Sequence, residues 1–226
     1  MTEQLYQGVA LWPESRQPQQ LFILLHGVGA QAADLLPLAE RLQEEFAQAA
    51  FFLPDAPMPF DGGGSGHQWY SNRGISDDNR PLRVAAALPA VHDLVTHAQQ
   101  HFNVLPAATA LVGFSQGAIM ALHLAVLHDG LVGRVLAFSG RFAALPDKAP
   151  QLTTLHLLHG EADSVIAHSH SQLAHEHLKH IDGDVTLDVL AEVGHEINAQ
   201  MAERAIYRLK NSIPLRSWKQ AMQSQG

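Results

Sequence analysis

Leu111-Val-Gly113-Phe-Ser115-Gln-Gly117-Ala-Ile-Met120 reads as an apolar strand, a Gly-x-Ser-x-Gly turn and the start of an apolar helix. A sharp strand-to-helix turn of this kind holds the serine in strained geometry, and the flanking glycines keep side chains from colliding with it. In a chain with this glycine and serine content the pattern arises by chance only about 0.07 times, and the strand–turn–helix context lowers that further. Ser115 is therefore the expected nucleophile.

Outward from this turn, short apolar runs alternate with segments of helical periodicity, which predicts a parallel sheet covered by helices on both faces. Strands are predicted at Leu21–Leu25, Ala50–Leu53, Ala108–Val112, Val135–Phe138, Thr154–Leu158 and Val185–Leu190, with an antiparallel edge strand within Tyr6–Trp12. Helices are predicted at Asp34–Gln48 with Asp34 as N-cap, at Pro81 to about Phe102 with a kink at Pro89, and at Gln116–Leu127, Ala167–Lys179 and Glu196–Lys210. No repeat or linker divides the 226 residues, so one domain is expected over 1–226, with its core at about 18–210 and a C-terminal tail at about 211–226. Asp55 to Arg80, rich in Pro and Gly, is far longer than an ordinary connection and predicts a structureless functional loop.

Composition narrows the chemistry. With 46% hydrophobic and 16% charged residues the chain is globular, and with Cys 0 it has no disulfide, thiolate nucleophile or Cys-ligated metal. A net charge of -8 repels phosphate backbones, so no nucleic-acid partner is expected. The beginning MTEQLYQG carries no basic region followed by an apolar run, and the most apolar stretch, Val104–Leu127, is broken by Ser115, Gln116 and His123. A cytoplasmic protein without stable membrane insertion is the expectation.

A serine hydroxyl needs a base and an orienting carboxylate, which in elbow folds follow in the order Ser, Asp/Glu, His. Asp163, in His159-Gly-Glu-Ala-Asp163, and His195, in Glu192-Val-Gly-His195, each follow a predicted strand, where sites of open α/β sheets collect. Glu161, Asp182, Asp184 and Asp188 compete with Asp163; His159, His168, His170, His175, His177 and His180 compete with His195. An oxyanion requires two preorganised donors. The amide of Gln116, at the helix start, supplies one, and Val28, in the glycine-rich loop His26-Gly-Val-Gly-Ala30 after the first central strand, supplies the other. Trp69, in the long loop, is expected either to border the substrate pocket or to pack beneath the loop.

LHGVGA, GFSQGA, HGEAD and EVGHEI, in this order and spacing, together with Gln68-Trp69-Tyr70, resemble the phospholipase/carboxylesterase family of α/β-hydrolases, which includes bacterial carboxylesterases and acyl-protein thioesterases. Ser71, Ala118 and Ser164 stand where that family usually has Asp, Gly and Pro. The resemblance implies an α/β-hydrolase fold without a separate lid domain and a serine esterase acting on small-molecule esters, or thioesters, of small or medium acyl chains. It assigns Ser115, Asp163 and His195 to a catalytic triad and Val28 and Gln116 to the oxyanion hole, with no cofactor and no metal. A non-catalytic binding protein of the same fold is the alternative, and a monomer or homodimer the expected assembly. The fifteen histidines raise metal binding, but His168 and His170, like His175 and His177, are two apart and face different ways on a helix, so a solvated histidine-rich face is expected instead.

Overall fold

Every residue of Leu21–Leu25 and Ala49–Pro54 is buried, because strands of a parallel sheet are covered on both faces and need no polar side. The computed structural model describes residues 7–217; Tyr6 and the tail beyond Ser217, with Trp218, lie outside the described residues. The sheet is built from β1 (Gly8–Leu11), β2 (Gln20–Leu25), β3 (Ala49–Pro54), β6 (Thr109–Phe114), β7 (Arg134–Phe138), β8 (Thr154–Gly160) and β9 (Val185–Leu190). Its order is β1-β3-β2-β6-β7-β8-β9. All pairings are parallel except β1 on β3, at the edge. The mostly parallel architecture read from the sequence is therefore the one observed.

Among the described residues the sheet is covered by α1 (Leu36–Glu45), α2 (Arg80–Phe102), α3 (Gln116–Leu127), α4 (Ser169–His180) and α5 (Ala199–Asn211). One face packs α2, α3 and α4 through Leu88, Val91, Ile119 and Leu178; the other packs α1 and α5 through Leu38, Leu42, Met201 and Ile206. Helix α3 is apolar nearly all round and is buried over most of its length, with Leu127 at its end exposed. Helix α2 runs as one element through Pro89.

Two local expectations change. Asp34 is not an N-cap: Ala32–Leu35 form a 3-10 turn, and the Asp34 carboxylate accepts the Gln31 N–H one residue before that turn. The 55–80 loop is not structureless. Met58–Pro59 (β4) and His67–Gln68 (β5) pair as a small antiparallel ribbon, and His67 bridges to Ala30. Strands of two residues carry no periodicity to read.

Chain order around β2 decides where the site forms. From β2 the chain passes to β3 on one side, then crosses so that β6 pairs with β2 on the other. Loops leaving the C-terminal ends of such neighbours diverge and open a crevice. His26–Ala30 follows β2 and Ser115 follows β6, so both line that crevice. Among the described residues no separate lid domain covers this edge, and no helix is long and apolar enough to cross a membrane.

Candidate active site

Ser115 sits at φ 52° and ψ −114° between β6 and α3, a left-handed conformation that a non-glycine residue adopts only when its surroundings hold it there. What holds it is close packing of backbone. A Cβ on Gly117 would overlap the Leu25 carbonyl oxygen at the end of β2, and one on Gly113 would run into the first turn of α3. The clash that excludes side chains at the two glycines is thus with neighbouring backbone and not, as the sequence reading has it, with the serine.

Three side chains from three loops meet at this turn. His195, in the loop after β9, places Nε2 2.9 Å from Ser115 Oγ and Nδ1 2.8 Å from Asp163 Oδ2. The carboxylate can only accept, so Nδ1 carries the proton and Nε2 is left to accept from the serine hydroxyl. Asp163, in the loop after β8, has a fully buried carboxyl group. Its Oδ1 accepts the backbone N–H groups of Val165 and Ile166 at 2.8 and 2.9 Å. Burial alone pushes this carboxyl up; the hydrogen bonds from His195, Ile166 and Val165 outweigh it and hold the acid below its ordinary range.

A second histidine touches the same carboxylate. His159 Nε2 lies 2.8 Å from the Ile166 carbonyl and 3.2 Å from Asp163 Oδ2. Nε2 must be the donor there, and Nδ1 accepts from Ser171 Oγ at 2.7 Å. Burial lowers the His159 pKa, which suits this neutral tautomer. Of the rival carboxylates, Asp188 is bound bidentately by Arg208 at 2.7 and 3.0 Å, Asp184 accepts from Thr154 and Leu215, and Glu161 is exposed. His168 and His177 bond the carbonyls of Glu161 and Pro146. Among the described residues no group of three His, Asp or Glu converges as a metal-ligand set.

The loop after β2 is clamped from two sides. His26 is fully buried; its Nδ1 donates to Gly27 O at 2.7 Å and its Nε2 accepts from Ala56 N at 3.0 Å. The amides of Gly29 and Ala30 are engaged by His67 O and Gly27 O. Val28, just before them, lines the cavity together with Ser115 and Gln116. Gln116 begins α3, where the first amides have no acceptor within the helix.

Sequence reasoning assigned Gln116 only a backbone role. Its buried side chain also accepts from Trp69 N at 2.8 Å and donates to Tyr70 O at 2.8 Å and Asn72 Oδ1 at 3.3 Å, tying the long loop to the elbow. Trp69 requires correction as a substrate contact. It is 2% exposed, donates from Nε1 to His26 O at 2.9 Å, and borders a separate depression with Pro57 and Met58. Packing beneath the loop is its observed place.

The cavity beside Ser115 has a volume of about 240 Å³. Its walls include Tyr70, Asn72, Ile119, Arg80, Arg141 and His170, of which sequence reading singled out Tyr70 only as part of the Trp-Tyr motif and His170 only as a rival base. Arg141 reaches His170 Nε2 at 3.3 Å and Asp77 at 3.2 Å. Burial, then Arg141, lowers the His170 pKa, leaving a neutral imidazole that accepts from the guanidinium. Burial raises the Tyr70 phenol, with Arg80 and Arg141 pulling the other way.

Comparison with known proteins finds relatives over most of the chain. A profile of the family described as Phospholipase/Carboxylesterase matches residues 8–213. Esterase YpfH of Escherichia coli (strain K12) is 39% identical over 204 residues, 90% of this chain and 88% of that protein. Acyl-protein thioesterase 1 homolog 1 of Dictyostelium discoideum is 24% identical, over 85% and 90%. The crystal structure of esterase PE8 superimposes with a TM-score of 0.84 at 28% identity, covering 91% of this chain and 98% of that one. The Bacillus cereus carboxylesterase does so with 0.77 at 17% identity, covering 93% and 96%, a likeness of fold alone.

Proposed function

Since the chain belongs to the phospholipase/carboxylesterase family of α/β-hydrolases, we propose that it is a serine esterase in which Ser115, His195 and Asp163 cleave carboxylic esters through an acyl-enzyme. The observation that carries this reading is the unbroken hydrogen-bonded chain from Ser115 Oγ through His195 to Asp163. As Oγ attacks the carbonyl carbon its proton passes to Nε2, and the Asp163 carboxylate stabilises the imidazolium across Nδ1–H. Electrons of the C=O bond move onto oxygen, where the amides of Val28 and Gln116 receive the charge; one such donor is worth about 2.7 to 4 kcal/mol in known enzymes. Collapse expels the alcohol, which leaves with the proton from Nε2. Water, losing its proton to the same nitrogen, then releases the acid and restores Ser115. Thioesters fit the same steps, with a thiol as leaving group.

The test is Ser115→Ala. It should abolish 4-nitrophenyl butyrate hydrolysis and covalent labelling by a fluorophosphonate probe, with thermal melting unchanged to within a few degrees. Hydrolysis that survives the substitution would reject the assignment.

A further inference from the structure

The chain is acidic overall, at -8, yet among the described residues the cavity at the nucleophile is lined by two arginines and no carboxylate. We propose that this cavity selects esters bearing a carboxylate near the scissile bond, bound by Arg80 and Arg141. The inference rests on the esterase reading above and narrows its substrate class.

Three features converge on it. First, the guanidiniums are largely withdrawn from water, with side chains 18% exposed for Arg80 and 16% for Arg141. A cation held there gains from an anionic ligand far more than an exposed one does. Second, the cations are incompletely paired. Asp77, itself 74% exposed, is the carboxylate in contact with both, at 3.2 Å from Arg141 and 3.7 Å from Arg80 Nε. The longer distance is beyond hydrogen-bond reach, and Arg80 Nε is buried without a hydrogen-bond partner. Among the described residues, one carboxylate against two guanidiniums leaves a net positive charge at the cavity wall. Third, α2, α3 and α4 begin at this cavity, with Arg80, Gln116 and His170 in their first turns. Their dipole ends add positive potential.

Size points to a small substrate. A volume of about 240 Å³ falls below the roughly 300 Å³ at which drug-sized sites begin, and polar Asn72, Tyr70 and His170 take much of the wall. A long alkyl chain would strand those groups and both arginines away from water, which costs more than its own burial returns. A short chain ending in a carboxylate fills the space and meets the donors.

The experiment compares pairs of equal size on the intact enzyme. Monomethyl succinate is set against methyl 4-methylpentanoate for a charge on the acyl side, and O-acetylglycolate against isobutyl acetate for one on the alcohol side. Acid release is followed at pH 7.5. In one of the two arms kcat/KM should favour the charged ester by about tenfold or more, as expected for a charge-assisted hydrogen-bonded pair. Arg141→Gln and Arg80→Gln should each pull that ratio toward one. Asp77→Asn, which frees the guanidiniums, should raise it, a change that damage to the fold would not produce. Hydrolysis of the neutral esters with no preference for charge in either arm overturns the inference and leaves the esterase standing. Absence of hydrolysis in all four, with no fluorophosphonate labelling, removes the esterase reading and this inference with it.

Discussion

Asp163→Asn is a sharper test of the candidate site than its small change in shape suggests. One carboxylate oxygen accepts Val165 N–H and Ile166 N–H, and the other faces Nδ1 of His195 and Nε2 of His159. All four neighbours are donors. An asparagine turned to keep its oxygen on the loop amides presents NH2 to two ring N–H groups; turned the other way, it presents NH2 to two backbone N–H groups. Neither orientation is satisfied. In the first, His195 relieves the conflict by moving its proton to Nε2, which then cannot accept from Ser115. Loss of the correct tautomer costs about 10⁴ in kcat in the serine-protease precedent, or roughly 5.4 kcal/mol at 1.36 kcal/mol per decade. The orphaned donors add about 1–3 kcal/mol of destabilisation. Steady-state hydrolysis of 4-nitrophenyl butyrate with urea unfolding on the same preparation reads both. A folded Asp163→Asn enzyme keeping more than about a tenth of wild-type kcat/KM would refute the argument, because His195 would then not depend on Asp163 for its tautomer.

Stability should fall on acidification before the carboxylates titrate. Burial lowers His156 from 6.5 to about 3 and His123 from 6.5 to about 4, so below pH 6.5 the unfolded chain takes up protons that the folded one refuses. The contribution is intact above 6.5 and is lost as pH falls toward 4 and 3, at about 1.4 kcal/mol per unit per histidine. Each should cost about 2 kcal/mol at pH 5, and equal urea midpoints at pH 7.5 and 5.0 would contradict this. Gln116→Ala removes three hydrogen bonds to the 69–72 segment and leaves buried Trp69 N–H and Tyr70 C=O unpaired. It should destabilise by about 2–4 kcal/mol, lowering Tm by several degrees, while fluorophosphonate labelling of Ser115 persists. Gly117→Ala forces a Cβ into the Leu25 carbonyl and should yield little folded protein, as judged by soluble yield and near-UV circular dichroism; near wild-type stability would mean β2 and α3 approach less closely than described.

Strands and the hydrogen-bonded trio were readable in the sequence because each depends on signals local to one stretch. An apolar run long enough to cross the sheet marks a doubly covered strand, and a glycine-flanked polar residue after it marks a loop at the crevice. Ser115 and His195 fit that rule; Asp163 follows its strand three positions after Gly160, and Val28, itself apolar, sits in the glycine-rich loop after β2. Sheet order was not readable, since no local pattern states that β6 returns to the far side of β2. Within the site, the missed residues are those whose meaning arises only in contact. Asp77 and Arg141 are ordinary charged loop residues until the fold sets them 3.2 Å apart, and the Gln116 side chain gains its role only by meeting Trp69 N and Tyr70 O, more than forty positions earlier. The elbow needs residue types at fixed spacing, because backbone strain and general-base chemistry allow few alternatives. A cavity wall needs only charge and shape, which any loop can contribute. The same asymmetry makes the reaction type inheritable across a family through its motifs, while substrate choice is set by residues such as Arg80 and Arg141 that no motif contains.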